Sequence, residues 1–486
     1  MSEQRDALPG AAELQAAGYA WEIGDAPILH RWLTLADLAH ALELNRLGAL
    51  PAQSRLIEGL LHLWQTEAVD VGYDPALGEV YTSREYWLRS LIGDDAGHLH
   101  LGRTRREAVR TAFRMACRVA LADLIESVME IVSTICQRSR AWSEIVVPDY
   151  TYLQPAQPTT FGHYLLGFAD PLLRDARRLV VDVREVDASP AGSGAANGST
   201  LAIDRDRMAR QLGFLRPIRH LRDAMWQTDP FLHATGDATS ALLTLDRLAE
   251  DLEIFASREF GFVSLGDGLV RPSVLMPQKR NPYALSIVRG TAALLVGRAG
   301  TQMALAKSPS ARSDALIFSY GEVPRALDWA TRSSRLMAAV ISTLAVDADR
   351  MSQALAGTHV EATDVAHLLC TTTGMDYSTA HAVVSRALQD GSLTASTLQH
   401  AASELCGREI AVDDAQIEAL TNPESLLELR TGRGGPGDVI DMATEYETEQ
   451  SGILGLVQDS RTRWSTAETD TIDEARHVVG TRGGQT

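Results

Sequence analysis

Along most of the chain apolar residues recur three and four positions apart, the spacing that gathers them on one face of an α-helix, while strict two-residue alternation is scarce. Three spans lack the breakers glycine and proline for unusually long distances. Arg103 to Val147 runs uninterrupted between Gly102 and Pro148; Asp237 to Phe260 repeats Leu242, Leu245, Leu248, Leu252 and Phe255; Arg325 to Ala356 behaves similarly. Each predicts a long amphipathic helix. At 1.5 Å per residue the first would be about 65 Å long, which suits an extended bundle rather than an ordinary globular domain.

The pattern predicts an all-α fold, a long helix bundle flanked by two smaller mainly helical domains. We place a mainly helical N-terminal domain at 1–110, the central bundle at 111–360, a C-terminal helical domain at 361–458 and a polar, loosely held tail at 459–486. Helices longer than their own domain leave apolar stripes that copies of the chain can cover, so a homo-oligomer is expected.

Composition narrows the partners. The 486 residues carry 45 Lys+Arg against 63 Asp+Glu, a net charge of −18. Such a field repels phosphate backbones and anionic membranes, so neither nucleic acid nor membrane is expected as a partner. The longest nearly apolar stretch, Leu336 to Val346, is interrupted by Ser342 and Thr343 and is too short to span a bilayer. The start, Met1-Ser-Glu-Gln-Arg-Asp6, lacks a secretory pattern, and Cys117, Cys136, Cys370 and Cys406 show no metal-like spacing. A cytoplasmic protein with core cysteines is expected. His98, His100 and His163 lack the carboxylate company and spacing of a metal site, so core or hydrogen-bonding roles are expected.

One breaker-rich segment stands out, Leu265 to Pro282, with Gly266 and Gly268 as mobile positions. Within it Ser273, Lys279 and Asn281 are able to converge on a small anion as base, cation and orienting amide. That set suits proton abstraction beside a carboxylate, where the carbanion's charge needs preorganised donors. A capped connection with solvated Ser and Lys side chains is the equally weighted alternative.

Ser273-Val-Leu-Met-Pro-Gln-Lys-Arg-Asn-Pro282 resembles the GSSxMPxKxNP signature of the fumarase/aspartase superfamily, and the chain as a whole resembles argininosuccinate lyase. Ala96 to Arg105 resembles the region built around HTGRSRND, and Thr151 to His163 the region built around THLQxAQP. Pro190 to Ala195 and Ile203-Asp204-Arg205 are similar to the PLGSGA and PIDR pieces. The resemblance implies a fumarase/aspartase-type bundle, a cofactor-free elimination releasing fumarate from a succinyl group, and a homotetramer whose sites each draw on three subunits. By matching position it implies Ser273 as base, Lys279 and Asn281 as stabilisers of an aci-carboxylate intermediate, and Thr104, Arg105, Thr151 and Gln154 as binders of the substrate's carboxylates. His100 and Met276 match positions near the substrate. Arginine's planar fork independently suits a dianion entering an acidic protein.

The departures gather where the family recognises the amine half of its substrate. The histidine of THLQ is Tyr152; a phenol, ordinarily titrating near 10, donates a hydrogen bond but is a poor base at neutral pH, so Tyr152 is expected to protonate the departing amine or to fill volume. The asparagine and aspartate of SRND are Arg106 and Glu107. NPD reads Asn281-Pro282-Tyr283, Ser286 stands where a glutamate is usual, and the YNRDLQ segment aligns with Ala311 to Leu316. The glycine before the base is Pro272. Asp223, in His220-Leu-Arg-Asp-Ala224, matches a family position and is expected in a salt bridge.

Losing several acceptors for a guanidinium argues against argininosuccinate as substrate. Arg106 invites an extra carboxylate, as in an N-substituted aspartate with two succinyl arms. The alternatives are a genuine argininosuccinate lyase and a catalytically silent structural protein on the same scaffold.

Overall fold

The computed structural model describes residues 11–307 and 314–483. It is helical, with strand confined to short two-stranded pieces. After α1 (Ala26–Arg46), the central helix α2 (Arg105–Ala141) starts at Thr104, whose side chain accepts the Glu107 N–H. It ends earlier than its unbroken pattern suggests. The β-branched Ile145-Val146-Val147 run and Pro148 favour extended backbone, and Val146–Thr151 (β1) pairs antiparallel with Gln154–Thr160 (β2).

The bundle continues with α3 (Ala169–Val186) and α4 (Asp229–Phe255), then the small hairpin of β3 (Arg271–Pro272) with β4 (Arg280–Asn281). It closes with α5 (Tyr283–Ala306) and α6 (Ser319–Thr343). Helix α2 is embraced by α1, α3 and α6, while α4 packs on α3 and α5. Its side chains are accordingly buried on nearly every face, from Phe113 and Cys117 through Leu121, Ile125 and Val128 to Ile135. The span expected to be helical to Ala356 stops at Thr343. Leu344 is extended, and Asp347 starts a new helix (Ala348–Gln353) by accepting the Arg350 N–H.

The C-terminal helices Ala362–Thr373, Tyr377–Gln389 and Ala395–Cys406 form their own core around Val365, Leu369, Val383 and Leu398. A single larger core runs from Ala26 through the bundle to Ala475. That reach corrects one expectation. The chain beyond Asp459 is no loose tail but part of α7 (Val439–Gly483), which packs along α2. A sparse stripe of Val457, Trp464, Ile472 and Ala475 faces inward among the polar residues. The Trp464 indole N–H donates to the buried Asp187 at 3.1 Å, and Arg461 pairs with Asp123 and Glu126, each at 2.6 Å.

No helix among the described residues is long and apolar enough to cross a membrane. Cys117 and Cys136 lie in the core, where burial pushes both thiols up.

Candidate active site

The residues singled out in the sequence fall into three groups. The first surrounds the start of α2. Thr104 Oγ1 donates to the Gly194 carbonyl at 3.1 Å. Arg105, half exposed, donates from Nη1 to Glu79 at 2.7 Å and to Thr82 Oγ1 at 3.1 Å. Arg106 stands 3.7 Å from Glu22, whose carboxyl is raised by burial against the pull of that guanidinium. His100 lies 2.8 Å from Glu85, and this hydrogen bond holds the Glu85 carboxyl low. The two arginines expected to receive carboxylates thus face carboxylates of their own chain.

Glu107 is the residue the sequence reading noted only as a substitution. Its two oxygens accept the N–H groups of Gly192 at 2.7 Å and Gly194 at 2.5 Å, and burial pushes its carboxyl up to about 7. Gly194 has φ +60°, and a Cβ there would lie 2.5 Å from the Gly198 carbonyl oxygen, so only glycine fits. The signal was present in Thr104-Arg-Arg-Glu107, which has the spacing of a capping box.

The second group is the tip of the β1–β2 hairpin. Thr151 pairs with Gln154 across a two-residue loop in which Tyr152 (φ +55°) and Leu153 (φ +57°) both adopt left-handed backbone. Such a loop matches the twist of the strands, but here it is made without glycine or asparagine, which stores strain. Tyr152 is wholly exposed, and Gln154 Nε2 donates to the Leu153 carbonyl at 3.3 Å. Beneath the tip lies a cavity of about 350 Å³ walled by Tyr150, Tyr164 and Phe255 with Asp149 and Asp251.

The third group is the hairpin of β3 and β4. Ser273 Oγ accepts the Met276 N–H at 3.0 Å, the Ser273 N–H donates to the Lys279 carbonyl at 3.1 Å, and the Lys279 N–H returns to the Met276 carbonyl at 3.0 Å. Asn281 Nδ2 donates to the Arg271 carbonyl at 3.1 Å, tying Asn281 to the strand that leads into Ser273. Val274, Leu275 and Met276 project into solvent. Gly266, expected as a hinge, is packed: a Cβ there would meet Thr343 Oγ1 at 3.0 Å, whereas Gly268 faces open space.

One chain therefore brings His100, Thr104, Arg105 and Arg106 together, Thr151, Tyr152 and Gln154 together, and Ser273, Met276, Lys279 and Asn281 together. No hydrogen bond or ion pair of the Ser273 hairpin reaches the other two groups among the described residues. Of the segment aligned with YNRDLQ, residues 311–313 lie outside the described residues, and Leu316 is buried. Asp223 takes a hydrogen bond from Gln227 Nε2 at 3.0 Å, and among the described residues it forms no salt bridge of the kind expected. His98 and His163 bond to backbone carbonyls of Asp95 and Gly434, and no group of three or more His, Cys, Asp or Glu among the described residues is arranged to hold a metal.

Comparison with known proteins bears on this geometry. A family model described as lyase matches residues 74–297, a span holding all three groups. The argininosuccinate lyase of Methanoculleus marisnigri is 31% identical over 418 residues, covering 84% of this chain and 85% of that one. Among solved structures, a variant of EDDS lyase with bound fumarate superposes with a TM-score of 0.88 at 22% identity, covering 96% of this chain and 98% of that one. The class II fumarase of Schistosoma mansoni superposes with a TM-score of 0.69 at 14% identity over 84% and 94%. The chain belongs to the fumarase/aspartase superfamily, as an argininosuccinate lyase-like carbon–nitrogen lyase.

Proposed function

We propose that this lyase releases fumarate from an N-substituted aspartate other than argininosuccinate, by an elimination that Ser273 begins. The observation that carries the proposal is the Ser273 hydroxyl itself. It sits on an exposed hairpin, its Oγ accepts a backbone N–H at 3.0 Å, and Lys279 and Asn281 belong to the same short frame. A backbone donor aimed at Oγ favours the alkoxide that a serine base requires.

In this reading Ser273 Oγ takes the proton from the carbon next to the one bearing nitrogen. The electron pair moves onto the adjacent carboxylate, where Lys279 and Asn281 hold the resulting charge. Collapse of that aci-carboxylate breaks the carbon–nitrogen bond, and Tyr152 gives the departing amine its proton. Thr104, Arg105, Thr151 and Gln154 hold the succinyl carboxylates, with His100 and Met276 at the edges of the site. Arg106 receives a further carboxylate of the amine half, exchanging Glu22 for it.

Among the described residues no hydrogen bond or ion pair ties the Ser273 hairpin to the other two groups, and in this reading other copies in a homotetramer complete the site. The uncovered apolar side chains of α5, Leu294, Val296 and Met303, support assembly. Activity as an argininosuccinate lyase is the second reading, favoured by the 31% identity to a protein of that name. Fumarate release, followed by ultraviolet absorbance from argininosuccinate and from a panel of N-substituted aspartates, separates the two. Fumarate from argininosuccinate at the highest kcat/KM of the panel sinks the substrate claim.

A further inference from the structure

A small cavity lies between the second turn of α2, the beginnings of α4 and α6 and the turn before α4, walled by Arg110, Arg114, Phe113, Phe231, Gln227 and Tyr320. None of these belongs to the elimination machinery. Arg110 is 4% exposed and Tyr320 2%. Among the described residues the Nε and Nη2 of Arg110 and the Oη of Tyr320 are all buried without a hydrogen-bond partner. Three orphaned donors around one cavity are unusual, because each unmet buried polar group destabilises the fold.

The charges are as unbalanced as the hydrogen bonds. Arg114 spends its N–H groups on neutral acceptors: Nη1 on the carbonyls of Glu185 and Val186, both at 3.0 Å, and Nη2 on Gln227 Oε1. Burial above all, with the Arg110 charge adding to it, pushes Arg114 down to about 10, which leaves it cationic at neutral pH. Asp223 and Asp229 favour its charge from a distance, but neither guanidinium has a carboxylate within ion-pairing range among the described residues. Two buried cations side by side require a counter-charge. The cavity leaves about 10 Å³ for the centre of a water-sized occupant, enough for a single water or a monatomic ion and too little for a carboxylate or phosphate.

We infer that the cavity between Arg110 and Tyr320 is a binding site for one small inorganic anion of halide size. Water would satisfy the donors but not the charge; a halide does both, accepting from Arg110 Nε and Nη2 and from the Tyr320 hydroxyl. The anion fixes the start of α6 against α2.

The test uses the full-length protein crystallised with sodium bromide in place of chloride. Thermal unfolding is followed across a bromide titration, with gluconate holding ionic strength constant. Expected are one anomalous bromide peak within hydrogen-bond distance of Arg110 and Tyr320, and a saturable rise in Tm. Tyr320→Phe, which keeps the ring and its packing, is expected to raise the half-saturating bromide concentration about tenfold by removing one donor to an anion. Arg110→Met is expected to abolish the response. A water without anomalous signal in the cavity overturns the inference, as does a bromide response unchanged in Tyr320→Phe, which decides the matter even if Arg110→Met fails to fold.

Discussion

Thr104 and Glu107 stand three residues apart on the first turn of α2, the spacing of a reciprocal cap, yet only half of that cap forms. Thr104 Oγ1 accepts the Glu107 N–H at 3.3 Å, while the Glu107 carboxyl turns away to the N–H groups of Gly192 and Gly194. Since Thr104 also donates to the Gly194 carbonyl, the glycine turn is held from both sides by the helix that presents Arg105 and Arg106. The Glu107 carboxyl thus ties the start of α2 to the Gly192–Gly194 turn.

That arrangement has a pH signature. Glu107 titrates near 7 in the fold against an ordinary 4.5, so its contribution to stability is fully present below 4.5 and is lost as pH rises through 7. The shift corresponds to about 3 kcal/mol, an order-of-magnitude figure. Glu107→Gln places an amide NH₂ against one glycine N–H. It is expected to flatten the stability profile between pH 4.5 and 7 and to lower kcat several-fold, measured by thermal unfolding and turnover across that range.

Tyr152 projects from a strained hairpin tip and packs against little, so its loss should leave stability alone. Tyr152→Phe is expected to leave Tm unchanged and to lower kcat about a hundredfold, the usual scale for a missing proton donor. Unchanged turnover removes the tyrosine from the mechanism.

Arg106→Asn tests the extra carboxylate. Losing a charge-assisted bond that is equally strong in ground and transition states raises KM about tenfold with kcat intact. The same variant should be indifferent toward an aspartate derivative that lacks the additional carboxylate, which steady-state kinetics on both substrates will show.

Asp187 anchors the far end of the chain. It is fully buried, meets Arg118 at 2.8 Å, and also holds Arg463 and the Trp464 indole. Trp464→Ala is expected to cost about 3–5 kcal/mol, chiefly through the lost ring volume and to a lesser degree through the lost hydrogen bond to Asp187, read from denaturant unfolding. Ending the chain at Asp459 should be at least as damaging.

The long helices and the breaker-rich segment around Ser273 were legible because their signals are local: breaker-free apolar periodicity, and an insert carrying a serine, a lysine and an asparagine close together; that the segment forms a hairpin was not. The helical tail was not, because its buried stripe is thin and lies among charged residues whose partners, such as Arg31, Asp123, Glu126 and Asp187, are far away in sequence. The β1–β2 hairpin was hidden for a related reason. Pro148, Pro155 and Pro158 blur any alternation, and the strands exist because they pair with each other. Arg110 gave no sign at all, since one arginine on a polar-looking turn reads as surface until α6 and α4 close over it.

The central claim is that the Ser273 hydroxyl starts a fumarate-releasing elimination, and its most direct test compares wild type with Ser273→Ala in a continuous ultraviolet fumarate assay across N-substituted aspartates. Wild type is expected to release fumarate from an aspartate derivative other than argininosuccinate, and Ser273→Ala to lose at least about a hundredfold in kcat with Tm unchanged. Fumarate released equally fast by Ser273→Ala would contradict it.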